Sequence, residues 1–542
     1  MYQVLILDPL ADEGLAVLER TPGMTVRVAT KLTPAELRAE LARSDGAILR
    51  SGAQLTAEAL EGQTRLRAIV RAGVGVDNID VAAATRQGIV VMNTPAGNTV
   101  STAEHTLALL LALSRNLAAA AENLHQGRWE RTRFMGTQLA GKVLGIIGLG
   151  RVGMAVAKRA LGLDMKVVGY DPFLSAERAA EKGVESVSSL DDLWPRCDYI
   201  TVHTPLTEET RGLVGAKQMA RMRRGVRLIN CARGGIIDEG ALLEGLNSGQ
   251  VAGAALDAFE HEPPDPGHPL LKHPNVLATP HLGASTAEAQ ASVAVEAAQL
   301  MVDYLATGAV RYAVNASAID LKELADLRLY LDLGRRLGLL HAQMDRGNIR
   351  RVQLTYRGEV AQKNTRLITA SFAAGLLETA LVEQVNLVNA EWLARERGIE
   401  LVEQVSSEAG DFSTLVRAEV TTDQKQYVAA GTLFGNQFLR LVQLGPFHLD
   451  GFIDGVLLIF SHHDAPGLIG FIGTIFGKHQ VNIAQMTVGR ELREPGGEAI
   501  GVLNLDSEPP REALAELEAH DQVYSISVVK LPAAGEAPPW LA

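Results

Sequence analysis

Cysteine is nearly absent: only Cys197 and Cys231 occur in 542 residues. They sit in PRCDYI and LINCARG, which read as strand ends far apart in the chain. This argues against a disulfide framework or a cysteine-ligated zinc site, and a reducing cytoplasm is the expected location. No metal is expected. Positive charge is also short, with 51 Lys+Arg against 63 Asp+Glu and a formal net charge of −12. Nucleic acid and anionic membranes are poor partners for such a chain, although local arginines can still build a pocket for a small anion. Long apolar runs are missing. LALLLAL, from Leu107 to Leu113, is far short of a membrane span and reads as part of a buried helix. MYQVLILDPL carries no basic stretch ahead of a long apolar one, so it is expected to be a first strand rather than a signal peptide.

What is present is an alternation of strand-like and helix-like segments. VLILD, GAILRS, LRAIVRAG and GIVVMNTP read as strands, with a helix from Ala11 to Arg20. Such alternation implies a parallel sheet covered on both faces. A single apolar helix is expected from about Ser101 to Gly127. A second series begins at Gly141: KVLGIIGLG, MKVVGYDP, DYITVHTPL, RLINCARGG, GAALDAF and NVLATPHLG are strands that end in polar or glycine-rich residues. A helix from about Thr286 to Gly308 closes this half. Residues 316–450 mix helices (Asn364 to Val382, Val385 to Gly398) with strands such as RVQLTYRG and YVAAGTLFG, and carry no catalytic constellation. Residues 451–531 run strand, helix, strand, strand, helix, strand, the ferredoxin-like order. The Pro/Gly-rich tail 532–542, AAGEAPPW within it, is expected to be loose.

Gly148-Leu149-Gly150-Arg151-Val152-Gly153 follows one of these strands and opens a helix, the context in which GxGxxG points to a dinucleotide. Gly148 permits the tight turn, Gly150 the approach of pyrophosphate, and Gly153 the packing of helix on strand. Helix N–H groups and partial positive charge meet the phosphates. Asp171, at the end of the next strand, lies where an acid binds the adenosine ribose hydroxyls. Its charge repels a 2′-phosphate, so NAD is expected over NADP. Further cofactor contacts are expected from Thr204 and Pro205, Cys231, Ala232 and Arg233, Asp257, and His281, Gly283 and Ala284.

Three other strand ends carry Arg233 in CARGG, Glu262 in AFEHEPP and His281 in TPHLGAS. Oxidising a 2-hydroxy acid removes hydride from C2 while a base takes the hydroxyl proton. Histidine titrates near neutrality and suits that base. A carboxylate fixes its tautomer and stabilises the imidazolium. Arginine offers a planar fork to the substrate carboxylate. His203, His261, His268 and His273 fall near the same edge and are assigned no proton transfer.

The series NTPAGN, GLGRVG, YDP, HTPL, ARGGIIDE, LDAFEHEP and PHLGAST resembles the D-isomer-specific 2-hydroxyacid dehydrogenase family over residues 1–315. In that family the equivalents of Arg233, Glu262 and His281 are catalytic. The resemblance implies an α/β fold of two doubly wound parallel-sheet domains: a Rossmann-type NAD-binding domain, 97–285, inserted in a flavodoxin-like substrate-binding domain, 1–96 plus 286–315. An intervening α+β domain, 316–450, would follow. The last domain, 451–531, resembles an ACT domain through His463-Asp464-Ala465-Pro466-Gly467-Leu468 and Val481-Asn482-Ile483, where the equivalents of Asp464 and Asn482 bind L-serine. This combination resembles a long branch of the family that acts on 3-phosphoglycerate, and implies its NAD-dependent oxidation to 3-phosphohydroxypyruvate, the step that opens L-serine biosynthesis. Candidate substrate contacts are Arg50 and Ser51, Arg71, Gly73, Val74 and Gly75 in RAGVGVDN, Asn98, and Arg131 with Arg133 in GRWERTRFMG. Val74 stands where many relatives have threonine. The family places a subunit contact on the helix from Ser101, so a homo-oligomer, dimer or tetramer, is expected. Two alternatives stay open: a hydroxypyruvate or glyoxylate reductase or other D-2-hydroxyacid dehydrogenase, and an NAD- or serine-sensing regulatory protein without turnover.

Overall fold

The computed structural model describes residues 1–344, 348–381, 385–408, 410–435, 438–491, 496–538 and 540. Among them the strands form four sheets. The first is wholly parallel, in the order Met24–Val28, Tyr2–Ile6, Gly46–Leu49, Ala68–Arg71, Val90–Asn93. Its central strands are unbroken apolar runs because helices cover both faces; GAIL is buried at every position. The second sheet is also parallel, in the order Val276–Ala278, Val251–Leu256, Val226–Asn230, Tyr199–Val202, Val143–Ile147, Lys166–Tyr170, Glu185–Ser186. In both, order reverses beside the first strand, which leaves a crevice at the strands' carboxyl ends.

The helix Ala287–Thr307 returns the chain to the first sheet. Thr286 caps it by accepting the Ala289 N–H, and Gly308 ends it at φ +78°. Beyond it Ala313 bridges antiparallel to Met92, and the Asn315 amide oxygen accepts the Val91 N–H.

Residues 321–452 hold the helix Leu321–Met344 and a mixed sheet. Ile349–Gly358 pairs parallel with Glu400–Ser406, while the strands from Thr414 to Phe452 are antiparallel. The last sheet is antiparallel, in the order Ile483–Arg490, Glu498–Leu505, Val456–His463, Val523–Lys530. One buried core runs from the first sheet through the helix Leu321–Met344 to Ile459 and Val529. The second sheet has a core of its own on each face.

Three expectations need correction. The helix from Ser101 to Gly127 is two helices, Thr99–Ser114 and Leu117–His125, bent by 63° at the left-handed Asn116. No single helix among the described residues is long and apolar enough to cross a membrane. The helices of the middle region are shorter than read, Thr365–Glu378 and Ala390–Glu396, and Val382 lies outside the described residues. The tail is held rather than loose. Buried Arg336 donates to the carbonyls of Ile453, Pro532 and Ala533 at 3.1, 2.6 and 2.9 Å, and the Trp540 ring lies under Arg335. Pro539 of that tail lies outside the described residues.

Candidate active site

The two parallel sheets meet across a cleft of about 500 Å³. Gly150, Arg151, Val152, Thr204, Pro205, Cys231, Ala232, Arg233, His281, Gly283 and Ala284 line it from the second sheet's strand ends, and Val74, Gly75 and Asn98 from the other side.

The catalytic trio comes together. His281 Nδ1 lies 2.7 Å from Glu262 Oε2, and Glu262 Oε1 accepts the Phe259 N–H at 3.0 Å. Burial works to raise the Glu262 carboxyl, but the bond to His281, the imidazole charge, the Phe259 N–H and the nearby Arg233 outweigh it, leaving its pKa below the ordinary carboxylate range. An ionised acceptor fixes the proton on Nδ1 and leaves Nε2 free to take one. His203 also lines the cleft, but burial drives its pKa down to about 4, so it stays neutral. Cys231 is inert as well: burial pushes its thiol up to about 12 against a hydrogen bond from Thr106.

Arg233 reaches across the cleft. Its Nε donates to Asp77 Oδ2 at 3.2 Å, and a Cβ on Gly75 would meet its guanidinium at 1.9 Å. Only a glycine lets the arginine lie there. Arg71 is half-buried behind it. Burial and the like charge of Arg233 lower its pKa to about 10, which Asp77 partly offsets. Asp77 was not foreseen; its position in the glycine-rich RAGVGVDN is the one signal that marks it.

The cofactor side fits a dinucleotide. Gly148 turns at φ +92°, and a Cβ on Gly153 would meet Gly148 O at 2.0 Å, so the motif's turn and helix packing both need glycine. A Cβ on Gly150 would enter open space, the room a pyrophosphate requires. Thr204 Oγ1 and Asn98 Oδ1 are buried on the cleft wall without hydrogen-bond partners. Such atoms call for a polar ligand. Asp171 accepts the N–H groups of Leu149 and Phe173, both at 2.8 Å, which holds its carboxylate beside the glycine turn.

Other expected contacts fall elsewhere. Asp257 is 1% exposed and lies beneath the cleft wall: it accepts the N–H groups of Leu282 and Gly283 at 2.7 and 2.8 Å and so holds the catalytic loop. Arg50 does not line the cleft, because its guanidinium donates to Pro9 O at 3.3 Å; exposed Ser51 stays with it. Gly73 lies under the Arg71 guanidinium. Arg131 and Arg133 sit on the exposed turn Arg131–Phe134, where Arg133 pairs with Glu130 at 3.0 Å, so neither reaches the cleft of its own chain. In the last domain Arg490 occupies the Asp464 carboxylate at 2.7 Å, and Asn482 donates to Asp506 at 2.7 Å. No group of three His, Cys, Asp or Glu side chains among the described residues is placed to hold a metal ion.

Two parallel sheets, a glycine-turn dinucleotide site and a facing Arg–Glu–His set define an NAD-dependent D-2-hydroxyacid dehydrogenase. Residues 107–283 match the D-isomer specific 2-hydroxyacid dehydrogenase NAD binding domain, residues 326–445 the D-3-phosphoglycerate dehydrogenase intervening domain, and residues 456–522 the ACT domain. The chain belongs to the D-3-phosphoglycerate dehydrogenase family. It is 42% identical over 529 residues to the D-3-phosphoglycerate dehydrogenase of Archaeoglobus fulgidus, covering 98% of this chain and 100% of the relative. It is 40% identical over 532 residues to that of Bacillus subtilis, with the same coverage. Among solved structures, the glyoxylate reductase of Paecilomyes thermophila is similar with a TM-score of 0.53 and 27% identity over 58% of this chain and 98% of that one. The formate dehydrogenase of Granulicella is similar with a TM-score of 0.52 and 27% identity over 58% and 97%.

Proposed function

We propose that the chain oxidises D-3-phosphoglycerate to 3-phosphohydroxypyruvate with NAD, the first step of L-serine biosynthesis. The 2.7 Å His281–Glu262 contact at a cleft that Arg233 also lines carries the hydroxy-acid oxidation, and likeness over 98% of the chain to D-3-phosphoglycerate dehydrogenases supports the substrate. Arg233 holds the substrate carboxylate and turns C2 toward the nicotinamide. His281 Nε2 accepts the C2 hydroxyl proton, and Glu262 stabilises the imidazolium that forms. NAD, when bound, would supply the acceptor for the hydride that leaves C2. In the reverse direction the same imidazolium returns its proton to the ketone. The test is NADH formation from 3-phosphoglycerate at high pH with product removed. Comparing 3-phosphohydroxypyruvate with hydroxypyruvate and glyoxylate in the reverse direction checks the phosphate preference. Equal efficiency for all three would favour a general hydroxypyruvate or glyoxylate reductase, and binding of NAD without turnover would favour a sensor.

The assembly is a homo-oligomer in this reading. Val100, Leu111, Leu117, Leu124, Trp129 and Met135 are all exposed along the bent helix pair and the turn after it, and a second copy would bury them. The same contact would carry Arg131 and Arg133 toward a neighbouring subunit. L-Serine is the proposed effector of the ACT domain, acting at Asp464 and Asn482 once it displaces their present partners. The cytoplasm is the proposed location, supported by two unpaired buried cysteines.

A further inference from the structure

Under the catalytic loop lies a polar cluster that the steps above do not use. His105 stands on the apolar helix Thr99–Ser114. Its Nε2 lies 3.1 Å from Asp257 Oδ1 and 3.2 Å from Thr279 Oγ1. The Thr279 hydroxyl already donates to the same Asp257 oxygen at 2.6 Å, so its proton is committed. Both neighbours can therefore only accept from His105, and the imidazole proton must sit on Nε2. His105 is the one ion-pair partner of the buried Asp257 among the described residues. Asp257 in turn accepts the backbone N–H groups of Leu282 and Gly283, the two residues that follow His281. His281 itself stands at φ +54°, a left-handed conformation that a side-chain-bearing residue keeps only when its surroundings impose it.

We propose that His105 is a positioning residue for hydride transfer. Its Nε2–H holds Asp257 and Thr279, these hold the loop backbone on both sides of His281, and the loop sets the imidazole against Glu262 and the reacting hydroxyl. The side chain touches neither substrate nor cofactor. Its effect falls on the orientation of the base, so the loss should appear in turnover rather than in binding.

The inference rests on the oxidation proposed above. The full-length enzyme is assayed with NAD and 3-phosphoglycerate, and its melting temperature is read alongside. His105→Leu fills a similar volume without a donor, and should lower kcat about 10- to 100-fold, the cost of a base held loosely. KM for both substrates should stay within about twofold, because ground-state contacts are untouched. His105→Gln, whose amide can donate to the same acceptors, should recover most of the rate. A leucine variant with wild-type kcat overturns the proposal, as does a glutamine variant impaired as deeply as the leucine one. If His105→Leu does not fold, His105→Gln is compared with His105→Glu, which sets a second carboxylate against Asp257: the first must turn over and the second must not, and equal rates overturn the proposal. A wild-type enzyme that makes no NADH defeats the proposed function instead, so the two failures are distinguishable.

Discussion

His281 and Glu262 are 19 residues apart and come from different strand ends, yet their side chains meet at 2.7 Å. A carboxylate kept ionised opposite an imidazole makes the histidine a directional base. Its removal is the most direct test. His281→Ala should lose about 10²- to 10⁴-fold in kcat, the usual worth of a positioned acid/base group. NAD affinity, measured by fluorescence titration, should change little. A variant with a near-wild-type rate would remove His281 from the chemistry.

Glu262→Gln keeps the shape of the pair and deletes its charge. A hydrogen bond to a charged group contributes about 1.5–3 kcal/mol, so kcat should fall about 10- to 100-fold. Steady-state kinetics at one pH would show it, with KM for 3-phosphoglycerate largely preserved.

Two histidines, His341 in the core and His203 half-buried at the cleft, set an acid limit on stability. Burial lowers His203 and His341 from 6.5 to about 4, against a backbone hydrogen bond to Ala418 at His341. The folded state keeps them neutral, whereas the unfolded chain protonates them below about 6.5. Their contribution is therefore complete above that pH and declines as pH falls toward about 4, by about 1.4 kcal/mol per pH unit for each histidine. Urea midpoints measured between those limits should drop with pH, and His341→Asn should flatten the drop.

Arg336 is 1% exposed and bonds Asp332 at 2.8 Å besides the carbonyls of Ile453, Pro532, Ala533 and Glu536. Arg336→Ala would strand a buried carboxylate and those carbonyls, at a cost of about 3–5 kcal/mol. Limited proteolysis should then cut the tail beyond Leu531 first.

The exposed side chains on the bent helix pair give a fifth prediction. Leu117→Asp together with Leu124→Asp should shift sedimentation toward the monomer. An unchanged sedimentation coefficient would place the subunit contact elsewhere.

The two parallel sheets were legible because buried strands are short apolar runs that end in glycine and polar residues, and those ends carry the cleft. The edge strand Met24–Val28 escaped notice because most of its residues face solvent. The bend at Asn116 is hidden inside a continuous run of helix formers, and only its left-handed backbone reveals it. The helix Leu321–Met344 was missed because charged residues punctuate it; Arg335 and Arg336 are buried there only because Glu378 and Asp332 meet them. In the site, motif spacing placed Arg233, Glu262 and His281, but not what stands behind them. Asp257 reads as a cofactor contact because it ends a strand, and only the path of residues 279–283 shows that its carboxylate also holds the loop backbone. His105 looked like one more residue of an apolar helix.

The shared core that joins the first sheet to the middle and last domains has a mechanical meaning. It runs through three of the four units, whereas the cores of the second sheet share no residue with it, so a displacement between the cofactor lobe and the rest would disrupt fewer buried contacts than one among those three.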